Sequence, residues 1–467
     1  MQPEHYYFGG GVADSVMHPV VAAVLIIAII LTLVLQRKYL IIPFFVCAFL
    51  VPLGQTLVLG GVHLFVLRIL ILFGCARMLV VKASGKASVF GVGLNAVDKV
   101  FMLWAIFRVT AFLILFSFQS AALVNQVASL LDVLGGYFFL RFAIQDDNDI
   151  RRAIRVLAVV VVIVGACMLN EKLHAQNVFG YFGGMPVAPE IRDGTVRAQG
   201  PFAHPILAGS FGATLVPLFF LLWQDGKAKS LAILGVIGST CMVLASASST
   251  PLMAYVAGIV AVCFWPMREH MRMFRWGIAM ALVAVHLIMK APVWFLIARI
   301  DLTGASSGYH RAALVDHFIR HLGEWWLIGT NNNANWGYDM WDLSNQFVAE
   351  GVTGGLATFI CFIVFIAMSF GRIGRARRAA QGDRKREWFL WLLGAALVSH
   401  LAAFFGISYF DHTQISWFAL LIMINVATVK KVTEAVEQPQ VGLAEVPLSF
   451  PAAPVPGPVQ SGTTRPF

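Results

Sequence analysis

Apolar runs of about 16 to 22 residues recur along almost the whole chain, and no other feature constrains its fold so strongly. About 20 such residues cross a bilayer as a helix. Lipid offers backbone N–H and C=O groups no partner outside their own segment, so each run is expected to fold as a helix. A barrel strand would instead alternate apolar and polar residues. Thirteen candidate spans result, about 20–35, 39–54, 61–81, 98–118, 122–144, 154–170, 205–223, 230–247, 251–266, 275–291, 352–371, 388–406 and 413–429. Composition agrees: 59% of the 467 residues are hydrophobic, 12% are charged and the mean hydropathy is +0.77. A soluble domain carries about 25% charged residues. The expected fold class is all-α, a polytopic transmembrane helix bundle of about 12–13 spans with a long, partly helical loop on its outer side.

The formal charge of +10 raises the question of a polyanionic partner, and its distribution answers it. Most of the 34 Lys and Arg residues fall in alternate loops, from Arg37 and Lys38 through the Arg151, Arg152 and Arg155 cluster to the run between Arg372 and Arg386. That bias places those loops in the cytoplasm. The amino terminus is then expected outside and the carboxyl terminus inside, and no nucleic-acid partner is expected. The basic loop 371–388 is an orientation and headgroup anchor. All six cysteines (47, 75, 167, 241, 263 and 361) lie inside candidate spans, with neither a disulfide framework nor zinc spacing. No Ala-x-Ala follows the first run, so no cleavable leader is expected. Residues 1–433 form the expected transmembrane domain, and the Pro-rich stretch 434–467 is expected to be a disordered cytoplasmic tail.

With that topology two outside segments are long, about 171–204 and about 292–351. Residues 309–322 have helical period. Leu314, Val315, Phe318 and Leu322 make an apolar face, and His310, His317 and Arg320, with Arg311 and His321 beside them, make a face turned to water. Trp325, Trp326, Trp336 and Trp341 read as interface anchors, with a sugar-stacking platform as the sharper reading for one or two of them.

Soluble-enzyme motifs are missing: there is no P-loop, HExxH, paired CxxC or G-x-S-x-G. His317 and His321 stand at i, i+4, but no carboxylate or Cys completes a metal set, and a solvated helix face is the plainer reading. Arg68, Arg108 and Asp132 lie inside spans. Such groups cost about 2.5 to 3.5 kcal/mol at mid-bilayer on translocon scales and face the bundle interior or water. Either an Arg–Asp pair ties helices together, or these groups line a path for a polar substrate. Outside the spans, Arg192 and Arg197 come from the first loop, and His310 and Arg311 from the second. Guanidinium groups grip phosphate oxygens bidentately and keep their charge. Arginines converging there suit a lipid-linked diphosphate whose tail stays in the bilayer.

RAQGPFAHP at a span entrance, then a late outside loop with an Arg-bearing helix, a Gly-Thr turn and DLSNQFVAEGVTGG entering the next span, resembles the O-antigen ligase and polymerase family. The resemblance is strongest over 192–371. It implies a glycosyltransferase of the bacterial inner membrane that takes glycan from undecaprenyl diphosphate on the periplasmic face, and it makes both long segments periplasmic loops. Arg197 matches the family's arginine ahead of Gly-x-Phe. Arg311, followed by Ala-Ala-Leu-Val, approximates the Arg-x3-Leu motif with Val315 at the Leu position. Asn345, Gly355 and Thr358 keep the spacing of a later motif whose leading His is here Ser344.

The resemblance implies that Arg197 and Arg311 neutralise the diphosphate, that Arg192, His204, Asp342, Ser344 and Asn345 bind and position substrate, and that His310 is a candidate base. The implied partners are an undecaprenyl-diphosphate glycan, a glycan or lipid acceptor and membrane lipids, with no cofactor and no metal. Serine has no useful pKa near neutrality. Three readings therefore stay open: His310, Asp342 or Glu350 substitutes as base; the diphosphate leaves without base help; or this branch uses another acceptor or transfers nothing. The alternative from a different class is a polytopic transporter or a lipid or polysaccharide flippase, supported by the charges inside spans.

Overall fold

The computed structural model describes residues 17–59, 62–85, 89–91, 93–224, 226, 228–299, 308–410, 412–429, 457 and 462. Met1–Val429 form one compact unit. The expected tail, 434–467, lies almost wholly outside the described residues, as do residues 1–16 and 300–307.

The unit is all-α apart from two short hairpins. In chain order come α1 (Pro19–Val34), α2 (Ile41–Leu50), β1 (Thr56–Leu59), β2 (Val62–Phe65), α3 (Val66–Ser84), α4 (Ala96–Leu115), α5 (Ser120–Leu130), a π turn (Leu131–Gly135), α6 (Gly136–Ala143) and α7 (Asp147–His174). After the first long connection, with β3 (Glu190–Arg192) and β4 (Thr195–Arg197), come α8 (Pro205–Gln224), α9 (Lys229–Ala245), α10 (Ser249–Cys263) and α11 (Met271–Ile288). The second long connection carries α12 (Gly308–Arg320) and α13 (Leu322–Trp325). The closing helices are α14 (Gln346–Ala379), α15 (Arg384–Phe404) and α16 (His412–Thr428).

Each apolar run of the sequence overlaps a helix, but against the twelve or thirteen spans expected, six helical stretches among the described residues are long and apolar enough to cross a membrane: Ser120–Ala143, Asp147–His174, Pro205–Gln224, Met271–Ile288, Gln346–Ala379 and Arg384–Phe404. Such helices are compatible with a membrane protein. Two expected spans are altered locally. The second stops at Leu50, because Val51 precedes Pro52 and takes an extended conformation (φ −82°, ψ 127°). The third begins as strand: β2 pairs antiparallel with β1, Thr56 opposite Phe65, and the helix starts only at Val66.

The core runs through the whole unit, with α7 and α8 packed on α9, α10 on α15, and α4 along α14. Phe101, Tyr137, Phe365 and Phe418 interlock at its centre. A smaller cluster of Leu314, Phe318, Trp325, Trp336, Val348 and Val352 fastens α12 and α13 to the start of α14. That start is kinked. Gly355 has φ +71°, and a Cβ there would lie 2.5 Å from the Leu327 carbonyl oxygen, so only glycine fits.

Candidate functional site

The first site arginine is placed by a hairpin. Asp193 and Gly194 take positive φ (49° and 72°), the conformation of a tight two-residue turn, and set Glu190 opposite Arg197. Arg197 Nη1 donates to Glu190 Oε1 at 2.5 Å, its own side chain only 5% exposed. Beyond Arg197 the chain is pinned on several sides. Ala198 N donates to the Ala245 carbonyl, and the Glu171 carboxylate accepts from Gln199 N (3.1 Å) and Gly200 N (2.9 Å). Gly200, at φ +56°, turns the chain before Pro201. His204 then caps α8: its Nδ1 accepts from Ile206 N at 3.2 Å, which leaves Nε2 facing Glu190 Oε2 at 3.6 Å. Burial, reinforced by the charge of Arg197 and opposed by that of Glu190, holds the His204 imidazole below its ordinary pKa.

The second arginine sits where the sequence reading did not put it. Arg311 was expected beside the water-facing side of its helix, but it is 6% exposed. The physical reason is angular. Positions 311, 314, 315 and 318 share one stripe of a 3.6-residue helix, so Arg311 stands within the apolar face that docks on the protein. There its Nη1 lies 3.5 Å from Ser249 Oγ at the start of α10. Arg192, Arg197 and Asp342 are within electrostatic reach. Burial draws the Arg311 pKa down to about 10, Asp342 opposes that shift, and the two arginines add to it. It remains a cation at neutral pH. Arg192 itself is exposed, with Asp193 at 3.8 Å.

The third part is the entry to α14. Asn345 Oδ1 accepts from Phe347 N (3.0 Å) and Val348 N (3.2 Å), an N-cap. Asp342 is half-buried just before it. Burial raises its carboxyl pKa, His310 and Arg311 counter the rise, and Asp339 adds to it. His310 Nε2 lies 3.3 Å from the Asp342 carbonyl. Ser344, where the resembled family has His, is 8% exposed, and its hydroxyl has no partner among the described residues. The same holds for the Nε atoms of Arg197 and Arg311. A buried donor left unpaired costs about 1–3 kcal/mol, so these three atoms keep hydrogen-bonding capacity for a polar partner.

Other candidates are sorted by their surroundings. Glu350 is not free to act as a base: it is 1% exposed, and its two oxygens accept from Trp104 Nε1 (2.8 Å) and Gln346 Nε2 (2.6 Å). Arg68 and Asp132 pair with each other at 2.6 Å. Trp325 stacks on Phe318, and Trp336 stacks on His321 and donates to Glu324, so only Trp326 and Trp341 keep exposed rings. His321 Nδ1 lies against the His317 carbonyl, and no set of three metal-ligating side chains occurs among the described residues.

The arrangement brings Arg197, Arg311, His310, Asp342, Ser344 and Asn345 to one end of the bundle, with Arg192 and His204 at its edge. Sequence reasoning missed Glu190, Ser249 and Glu171. Asp193-Gly194 between short alternating segments was a legible hairpin signal that pairs Glu190 with Arg197. Nothing local announced Ser249 or Glu171, which arrive from distant helices. No protein-family model matches the chain, and no curated protein or solved structure is significantly similar to it.

Proposed function

We propose that the chain is a polytopic membrane glycosyltransferase of the O-antigen ligase and polymerase type, working at the periplasmic face of a bacterial inner membrane with a glycan on undecaprenyl diphosphate as donor. The observation that carries this reading is the convergence of Arg192 and Arg197 on Arg311, two of the three buried, with Glu190 paired to Arg197 and Asp342 the carboxylate that acts on Arg311. Cations brought together out of water repel one another unless an anion joins them. A diphosphate whose lipid tail lies among the apolar helices has the charge and the address.

In the proposed reaction an acceptor hydroxyl attacks the anomeric carbon from the face opposite the diphosphate. The bond from that carbon to the phosphate oxygen breaks, and its electron pair leaves with the diphosphate. Arg197 and Arg311 meet the charge that grows there, the preorganised electrostatic role of greatest worth in catalysis. The acceptor's proton passes to Asp342, whose raised pKa suits a general base better than an ordinary aspartate. His310 and Asn345 hold the Asp342 segment, and Ser344 offers its free hydroxyl to the substrate. The guanidinium groups do the work a metal ion would do elsewhere.

The test is glycan transfer by purified protein in lipid nanodiscs with a labelled undecaprenyl-diphosphate glycan. Transfer by the wild type and its loss in Arg197→Ala and Arg311→Ala support the assignment. Full turnover by both variants sinks it. Activity that depends on Arg108 and ignores both arginines supports the transporter reading.

A further inference from the structure

A second polar site lies away from the arginine cluster. A cavity of about 90 Å³ opens between the end of α2, the start of α3, the π turn and the start of α16. Apolar residues make up most of its lining, with Gln55, Arg68, Asp132, His412 and Gln414 among them, and it is smaller than the roughly 300–1,000 Å³ of a whole-ligand pocket, so it suits one part of a larger ligand. The π turn carries Asp132, and π turns within helices concentrate at functional positions. Arg68 Nε lies 3.0 and 3.2 Å from the two carboxylate oxygens of Asp132, and its Nη2 lies 2.6 Å from Oδ2. A carboxylate has about four lone-pair sites, so this one, 31% exposed, keeps capacity for one more donor. His412, 5% exposed, lines the same cavity, and its Nδ1 is buried with no partner among the described residues. Gln414 stands beside it. Its Nε2 donates to the Tyr409 carbonyl, and the residue lines the cavity.

The charges decide what kind of ligand fits. Arg68 is taken up by Asp132 and by the His63 carbonyl at 2.8 Å, so the site has no spare cation for an anion. A ligand cation would have to displace Arg68. What remains is spare hydrogen-bonding capacity on Asp132, His412 and Gln414, which suits a neutral ligand rich in hydroxyls, groups that both donate and accept.

The cavity is joined to the arginine cluster by one short piece of chain. Leu53 N donates to the Pro201 carbonyl at 3.2 Å, and the Phe202 ring meets His412 edge-on at 5.4 Å. Arg197 lies five residues before Phe202, a reach of at most about 18 Å. We propose that the cavity bounded by Asp132, His412 and Gln414 is a sugar subsite, which holds a neutral residue of the glycan while its diphosphate lies at Arg197 and Arg311. The inference rests on the glycan-transfer reading and adds to it a place, a ligand class and three recognising side chains.

Binding of two probes to the full chain in nanodiscs tests it: geranylgeranyl diphosphate bare, and the same lipid diphosphate bearing a trimer of N-acetylglucosamine. The wild type is expected to bind the sugar-bearing probe at least tenfold more tightly. Asp132→Asn, His412→Gln and Gln414→Leu each reduce that preference to under threefold and leave the Kd for the bare probe within twofold, which also reports that they fold. Arg197→Ala weakens both probes alike. A wild type that binds both probes equally, or variants that keep the preference, overturn the subsite and leave the diphosphate site standing. A wild type that binds neither probe overturns the glycan-transfer reading and the subsite with it.

Discussion

Glu190 and Arg197 face each other directly across the β3–β4 hairpin, and their side chains meet at 2.5 Å. Glu190 is 39% exposed and Arg197 is 5% exposed, so a buried guanidinium is held by a carboxylate that itself reaches solvent. On the proposed reading, a diphosphate would compete with it for the same donors.

Glu190→Gln is therefore expected to strengthen the binding of inorganic pyrophosphate by up to about fivefold, on a pairing energy that a half-exposed site keeps below about 1 kcal/mol. Isothermal titration of the two proteins measures it. Weaker binding in the variant shows that Glu190 orients Arg197 rather than competing for it.

Arg311 is a buried cation repelled by its neighbours. Arg311→Met is expected to match or exceed the wild-type Tm without ligand and to lack the rise in Tm that pyrophosphate is expected to give the wild type. Charge-assisted hydrogen bonds contribute about 1.5–3 kcal/mol each, so the lost affinity is at least tenfold. A variant that still shifts with pyrophosphate removes Arg311 from the site.

His204 gives a pH signature. Its native pKa lies below the ordinary 6.5, so the unfolded chain binds a proton that the native imidazole resists. The stability it contributes is fully present above pH 6.5 and is lost as pH falls through the lowered native value. Protonation also takes Nδ1 from Ile206 N, undoing the cap. His204→Asn keeps a capping side chain and is expected to flatten the fall in Tm between pH 6.5 and 5. An unchanged slope assigns that fall to other groups.

Asn345 and Gly355, which the resembled family shares, have structural work here. Asn345→Ala costs about 1 kcal/mol as a lost N-cap, and Asn345→Asp recovers most of it. Gly355→Ala costs at least about 1 kcal/mol, from positive φ and from contact with the Leu327 carbonyl. Denaturant unfolding ranks the three variants. Parity of Gly355→Ala with wild type contradicts the kink.

The apolar runs located most of the helices, since a long apolar segment has few other ways to satisfy its backbone, although the second run ends early at Leu50 and the third opens as strand. The arginines were legible as well, because so few charges interrupt this chain. What the runs did not carry is which side chains meet. Arg311 occupied an apolar stripe that its charge disguised, Glu190 reached Arg197 across a hairpin, and Ser249 arrived from the start of another helix. Asp132 and His412, 280 positions apart, share a cavity only because a π turn and the start of α16 pack together. Helix formation depends on neighbours along the chain, so the sequence by itself determined the elements. The site depends on pairwise burial and charge between distant segments, which only their packing in three dimensions decided.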